Sequence, residues 1–154
     1  MSKIYPNKMS VVMQGEFVVF LIGMRINKLW KVNKWWPVFR AMPRMLKELY
    51  TQPELGFLGH HFLGPITLVQ YWRSFEHLEA YARSKDYEHL PAWVNFVEKV
   101  RHGTGDVGIW HETYRIAPGE YEAVYSGMPA FGLGKVGKLV AASGHRESAR
   151  GRMH

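Results

Sequence analysis

The sequence contains no cysteine, which excludes disulfide bonds, thiolate metal sites and a cysteine nucleophile. A long apolar run is also missing, because the most apolar stretch, residues 17–24, is far shorter than the ~20 residues that cross a bilayer. The N-terminal sequence MSKIYPNKMS lacks the apolar core of a signal peptide. These absences predict a cytoplasmic protein without a membrane span.

The common motifs of metal, nucleotide and nucleophile sites are absent as well. The sequence has no HExxH, no P-loop, no GxSxG and no GxGxxG ahead of a helix. The glycine-rich stretch FGLGKVGK follows no predicted strand, so it does not indicate phosphate binding. No bound metal is therefore expected.

Acidic residues are outnumbered, 13 against 20 basic residues, which gives a net charge of +7. Residues 135–152 alone carry +4 of that charge, and no nucleic-acid recognition motif accompanies it. The basic balance is thus a property of the C-terminal tail, and nucleic acid is not an expected partner.

The remaining composition, 47% apolar and 14% aromatic over 154 residues, is sufficient for one domain with a sizeable core. We predict an N-terminal arm at residues 1–14, a domain at residues 15–126, and a basic, glycine-rich, loosely ordered tail at residues 127–154.

Residues 16–27 (EFVVFLIGMRIN) predict a central strand buried on both faces, with Gly23 marking a bulge or the close approach of a bulky group. A helix is predicted from about Asn33 to just before Pro53, kinked or split at Pro43. Residues 55–63 and 66–73 then predict an antiparallel hairpin around a Gly-Pro turn.

Ser74 is a good N-cap for a helix over residues 75–84, and a second helix is predicted over 86–102 with Gly103 as its end. A strand over 107–116 follows, with short extra strands at 10–13 and 120–125. The succession β-α-β-β-α-β indicates an α+β, ferredoxin-like fold whose antiparallel sheet carries helices on one face. Because the other face is apolar, we predict a homodimer that packs sheet against sheet.

The run YWRSFEHLEAYARSKDYEHL, at residues 71–90, resembles the antibiotic-biosynthesis-monooxygenase branch of the dimeric α/β-barrel superfamily. Residues 17–125 resemble a monooxygenase-like family, most clearly in MPRMLKEL and GFLGHHFLGPITLVQYWRSFEHLEAY. The resemblance implies a small-molecule monooxygenase that acts as a homodimer without bound metal. Many members have a histidine in the first helix after the tryptophan, where this chain has Tyr81, so their catalytic set does not transfer.

The resemblance also implies a ligand cavity between sheet and helices. Adjacent strand residues point to opposite faces, so His60, with Leu58 and Phe62, opposes His61, with Phe57 and Leu63, and the two cannot chelate one metal. One of the two histidines is predicted to face the cavity as the catalytic base. The predicted substrate-binding residues are Trp35, Trp36, Trp72, Trp110, His111 and Tyr114.

Three functions stay open. The first is an oxygenase in which a histidine deprotonates an aromatic or apolar substrate so that its carbanion reacts with oxygen. The second is a haem enzyme of the same superfamily, aldoxime-dehydratase-like or chlorite-dismutase-like, with an axial ligand among His60, His61, His77, His89 and His111. The third is a dimeric binding module without catalysis. Solvated or helix-capping roles are favoured for His77 and His89, while His145 and His154 belong to the tail.

Overall fold

The computed structural model describes residues 1–87, 89–101 and 105–153, with only the backbone at positions 90 and 99–101. Gly103 and His154, predicted above as a helix end and a tail residue, lie outside this part of the chain. The strands are β1 Met9–Val12, β2 Phe17–Ile26, β3 Phe57–Phe62, β4 Thr67–Trp72, β5 Val107–Ile116, β6 Val124–Tyr125 and β7 Lys138–Ala141. The α-helices are α1 Val32–Thr51, α2 Phe75–Arg83, α3 His89–Arg101 and α4 Ala149–Arg152.

The main sheet has the order β3-β4-β2-β5, and every neighbouring pair is antiparallel. The strand β2 lies inside the sheet because its ten residues are almost all apolar and can be buried on both faces. Helices α1, α2 and α3 follow the strands in the β-α-β-β-α-β succession. The predicted α+β, ferredoxin-like fold is confirmed.

Gly23 on β2 sits directly opposite Trp110 on β5. A Cβ atom at position 23 would lie 2.6 Å from Nε1 of Trp110, so only glycine leaves room for the indole. The predicted close approach of a bulky group to Gly23 is confirmed.

The helix α1 runs through both Pro37 and Pro43, so the predicted split at Pro43 does not occur. Pro43 is exposed, whereas the apolar side of the helix buries Met45, Leu46 and Leu49. Packing of that apolar side onto the sheet stabilises the helix on both sides of the missing N–H donor.

The short helix α2 begins as predicted, because the Ser74 side chain accepts a hydrogen bond from the backbone N–H of His77. Among the described residues, no helix is long and apolar enough to cross a bilayer.

The sheet separates two apolar clusters. On the helix face, the fully buried Trp72 packs with Val18, Leu49 and Leu78. On the other face, called here the second face, the cluster is built from Phe17, Val69, Tyr71 and tail residues that include Leu133 and Val136. Each face of β2 and β4 therefore has its own core.

The tail that was predicted to be loosely ordered is folded. Its strand β7 pairs with β1 over four residues, and β6 pairs with the opposite edge of β1, which makes a second, three-stranded sheet. Apolar side chains explain the error, because Leu133 and Val136 are partly buried and pack against the second face of the main sheet. Arg152 also forms a salt bridge to Glu122, with a 2.8 Å Nε–Oε2 distance.

Candidate functional site

A cavity of about 1060 Å³ lies between the helix face of the sheet and the helices α1, α2 and α3. Its walls are mainly apolar and include Phe20, Ile22, Met42, Met45, Leu68 and Trp72. A volume of this size accommodates a multi-ring organic molecule, and apolar walls with a few polar groups are typical of small-molecule sites.

Gln70 is a deeply buried polar side chain of this cavity, with an exposed fraction of 5%. Its Oε1 accepts a hydrogen bond of 2.9 Å from Nε1 of Trp72. Its Nε2 lies 3.9 Å from the thioether sulfur of Met42. Sulfur is a weak acceptor, so the amide nitrogen retains hydrogen-bonding capacity at the cavity wall.

His89, the first residue of α3, also lines the cavity. Its Nδ1 lies 3.1 Å from the carbonyl oxygen of Ala82. Because a carbonyl only accepts, Nδ1 carries the hydrogen, and the neutral ring has its lone pair on Nε2. Burial, with a smaller contribution from His111, lowers the pKa of His89, so the ring favours this neutral form.

His111 on β5 lines the same cavity from the sheet side. Its ring is exposed and lies 5.5 Å from that of Phe20, measured between ring centroids. A positive charge on the His111 ring disfavours a positive charge on His89. The cavity thus holds two imidazoles.

Basic side chains of α1 line the cavity as well. Lys34, Arg40 and Arg44 belong to its wall, and no salt bridge to another described residue is recorded for any of them. Their positive charge favours anionic groups on a molecule that enters beside α1.

His60 and His61 lie on opposite faces, as strand alternation predicts, but neither lines the large cavity. His60 is on the helix face, where its Nδ1 is 2.8 Å from the hydroxyl of Tyr50, outside the cavity wall. Burial, together with the charges of His61 and Lys135, lowers the pKa of His60. The histidines that line the cavity are therefore His89 and His111, and the catalytic role of His60 or His61 stays a prediction.

The predicted neighbours of these histidines were wrong at the start of β3. The register shifts between Phe57 and Gly59, so Leu58 is an extra residue, and a β-bulge reverses the alternation there. Phe57 consequently packs on the helix face with His60, at 6.4 Å between ring centroids, while Leu58 joins the cluster on the second face.

His61 lines a second, smaller cavity of about 370 Å³ on the second face. Tyr71 and Phe131 are its aromatic neighbours, with the Phe131 ring 4.6 Å from the imidazole between centroids. The buried Nδ1 of His61 has no hydrogen-bond partner among the described residues. Burial and the charge of Lys135 lower the pKa of His61.

The predicted aromatic residues divide between the faces. Trp72 and Trp36 line the large cavity, whereas Trp35 packs beside Trp36 and donates from Nε1 to the carbonyl oxygen of Leu29 at 3.0 Å. Trp110 and Tyr114 lie on the second face with exposed fractions of 39% and 48%. The structure therefore brings Trp36, Trp72 and His111 together, and places Trp35, Trp110 and Tyr114 elsewhere.

Gln70 was not among the predicted site residues, and a solvated or helix-capping role was favoured for His89. Gln70 had a detectable signal, because it is the one amide in the otherwise apolar strand TLVQYW. His89 had none, since only the packing of α3 against the end of α2 brings Nδ1 to the Ala82 carbonyl. Among the described residues, no group of three or more His, Asp or Glu side chains could hold a metal ion.

Comparison with solved structures supports the fold. A crystal structure of aldoxime dehydratase in complex with butyraldoxime superposes with a TM-score of 0.69 and 13% identity, covering 86% of this chain and 41% of that one. A second aldoxime dehydratase structure gives a TM-score of 0.53 and 15% identity, covering 88% and 39%. This chain thus spans about two fifths of those enzymes, and at such identities the likeness concerns the fold alone.

A dimeric ferredoxin-like protein from Jannaschia sp. CCS1 has a TM-score of 0.41 and 18% identity, covering 62% of this chain and 97% of that one. No curated protein matches this sequence significantly. The sequence profile of the family described as monooxygenase af470-like, however, matches residues 17–133, which include the whole sheet and the helices that enclose the large cavity. The chain therefore belongs to the monooxygenase af470-like family, and its resemblance to the antibiotic-biosynthesis-monooxygenase-like members of the dimeric α/β-barrel superfamily is confirmed.

Proposed function

We propose that the protein is a monooxygenase-like enzyme that oxidises an apolar, ring-bearing molecule in the large cavity without a bound metal. The observation that carries the proposal is the position of His89, whose Nδ1 lies 3.1 Å from the carbonyl oxygen of Ala82. Its Nδ1–H bond to Ala82 leaves the lone pair of Nε2 as a proton acceptor at the wall of an apolar cavity.

In this mechanism, Nε2 of His89 removes a proton from an activated CH₂ group of the substrate. The electrons of the resulting carbanion reduce oxygen and a carbon–oxygen bond forms, and the peroxide anion takes the proton back from His89 to give a hydroperoxide. Loss of water from it leaves a ketone, so the balance is R₂CH₂ + O₂ → R₂C=O + H₂O. The substrate supplies all four electrons, and no external reductant is needed. The apolar wall excludes water from the carbanion.

Oxygen uptake with a panel of phenolic and polyketide-like substrates tests this proposal. Removing a general base typically lowers the rate by about 10²- to 10⁴-fold, and we expect that loss for His89→Gln. His145→Gln, which changes an exposed tail histidine, is the matched control and should retain full activity. Absence of oxygen uptake and of substrate depletion across the panel would overturn the proposal.

The same assay decides between the two positions proposed for the base. His60→Gln and His61→Gln should retain activity, because neither side chain lines the large cavity. If one of them abolishes turnover while His89→Gln does not, the base predicted from sequence is right and our assignment is wrong.

A haem enzyme is the second candidate, and the same tautomer favours it. A neutral imidazole is a common axial ligand of haem, and Nε2 of His89 is the available nitrogen. Lys34, Arg40 and Arg44 would pair with the propionates, so the residues present fit the group. Haem would supply redox or Lewis-acid chemistry at its iron, and the likeness to aldoxime dehydratase adds oximes to the substrates worth testing.

Haem titration separates the two candidates. A Soret band that appears with one equivalent of haem and is lost in His89→Gln, but not in His145→Gln, would support the second candidate. Binding of aromatic probes without turnover or haem would instead support the binding module predicted as the third alternative.

We further propose that the protein is a homodimer through the exposed part of the second face. The tail covers the side of this face near β3 and β4, whereas Trp110 and Tyr114 on β5 remain exposed. Two such surfaces packed together would remove these aromatic rings from water. Light scattering should give twice the chain mass of 17.9 kDa, and a monomer would overturn the proposal.

A further inference from the structure

Gln70 is a buried amide inside an apolar wall, and its surroundings determine which of its atoms faces which neighbour. It pairs with His60 across β3–β4 and with Phe20 across β2–β4, so it occupies the middle of the sheet. Its side chain is on the helix face, and the large cavity is the space in front of it.

Trp72 fixes the orientation of this amide. The indole Nε1–H can only donate, so the Gln70 atom that faces it at 2.9 Å is the carbonyl oxygen. The amide nitrogen, with two N–H donors, is consequently turned away from Trp72. Its recorded partner is the Met42 sulfur at 3.9 Å, which is a weak acceptor and at most satisfies one of the two donors.

Buried donors in proteins normally have an acceptor, and an incompletely satisfied one at a cavity wall indicates a ligand atom that would complete it. We propose that Nε2 of Gln70 is a hydrogen-bond donor to an oxygen atom of the substrate, either a ketone carbonyl or a phenolic oxygen. This inference rests on the proposed function only in placing the substrate in the large cavity. It narrows the substrate class from apolar ring systems to those with an oxygen acceptor on the ring or beside it.

The chemistry of the proposed reaction is consistent with such an oxygen. A carbonyl next to the CH₂ group makes that group acidic, because the charge of the carbanion spreads onto the oxygen. A donor aimed at this oxygen stabilises the negative charge as it develops. Gln70 is therefore a substrate-binding and specificity residue, and Trp72 is the positioning residue that holds it in the donating orientation.

Isothermal titration with two matched probes tests the proposal on the intact chain. The probes are 2-acetylnaphthalene and 2-isopropenylnaphthalene, which have nearly the same shape and differ in C=O against C=CH₂. We expect the wild type to bind the ketone about ten-fold more tightly than the hydrocarbon, which is the usual size of one hydrogen bond.

Gln70→Met should remove this preference and leave the affinity for the hydrocarbon unchanged. Methionine has nearly the size and shape of glutamine, but it has no N–H donor for the ketone. Met42→Leu is the control, because it removes the sulfur partner with little change of volume and should keep the preference.

NMR of the glutamine side-chain amides provides a second test, in which the probes are added to the wild-type protein. The chain has three glutamines, Gln14, Gln52 and Gln70, so selective ¹⁵N labelling gives three side-chain amide signals. The signal that is missing in Gln70→Met is that of Gln70. The ketone should shift the Gln70 signal in the wild type, and the hydrocarbon should leave it nearly in place.

The inference is overturned if the wild type binds neither probe, if it shows no preference, if the preference survives in Gln70→Met, or if both affinities fall together. These outcomes are separate from failure of the proposed function. His89→Gln should keep the ketone preference even though it abolishes oxygen uptake. The binding preference therefore tests the role of Gln70, and the oxygen uptake tests the proposed reaction.

Discussion

The two faces of the main sheet are covered by different structural elements, and the cavities on the two faces differ in volume accordingly. On the helix face, α1, α2 and α3 enclose about 1060 Å³ in front of Gln70 and Trp72. On the second face, the tail packs directly on Tyr71 and Val69 and leaves about 370 Å³ beside His61. Helices are wide, rigid cylinders that bridge over unfilled space, whereas an irregular segment follows the surface beneath it. Among the described residues, a large cavity therefore forms on the helix face and only a small one on the second face.

One tryptophan on each face provides a direct comparison. Trp72 has an exposed fraction of 0% and Trp110 one of 39%. Trp72→Ala should lower the free energy of unfolding by about 3–5 kcal/mol, the usual cost of deleting a buried aromatic side chain. Trp110→Ala should cost less than half of that in urea denaturation at low protein concentration.

Repeating the denaturation at high protein concentration shows the contribution of association. The cost of Trp110→Ala should grow with concentration if Trp110 lies at a dimer interface, since a dimer is stabilised by mass action. Equal costs for the two tryptophans would contradict the different packing of the faces.

Gly23 tests how tightly the second face is packed within one chain. Gly23→Ala places a methyl group 2.6 Å from Nε1 of Trp110 and 3.0 Å from the Thr67 hydroxyl, and should cost about 1–3 kcal/mol in unfolding free energy. In a Trp110→Ala background the indole is gone, so the same change should cost much less. An equal cost in both backgrounds would show that the indole is not the obstacle.

The pH dependence of stability involves both faces and is the smallest of these effects. The pKa values of His60, His61 and His89 are lowered by burial, so the unfolded chain binds more protons below about pH 6.5. The free energy of unfolding should therefore fall as the pH decreases from about 6.5, and this contribution should be constant above that pH. Urea midpoints between about pH 5 and 8 measure it.

Variants separate these histidines from carboxylates, which titrate at lower pH. His89→Gln should flatten part of the slope near pH 6, and the exposed His145→Gln should not. A slope that is unchanged in His89→Gln would show that the His89 imidazole is not buried in its neutral form.

Much of the fold was predictable because its causes are local in sequence. Alternation and β-branched residues located β2, β4 and β5, and the Ser74 cap located the start of α2. The folded tail was not predictable in the same way. Its glycines and lysines dominate the composition, while the few apolar residues that attach it, such as Leu133 and Val136, gain their effect only from a surface far away in sequence.

The site was predictable only in part. Trp72, Trp36 and His111 were assigned to the cavity and lie in its wall. His60 and His61 attract attention as a pair, but β3 is an edge strand, and its residue His60 reaches Tyr50 at the end of α1 rather than the cavity. Which histidine faces a cavity depends on where the helices end above the sheet, and the periodicity of the sequence does not predict that position.

What the sequence determined by itself is the family, the α+β plan and the alternation of residues between two faces of the sheet. Those properties follow from residue order, since hydrophobic period and capping act over a few neighbouring residues. Only the tertiary structure decided that the tail covers part of the second face, and that Gln70 and His89 share one cavity with His111. The orientation of the Gln70 amide and the tautomer of His89 each depend on a single hydrogen bond, and those partners meet only in the folded chain.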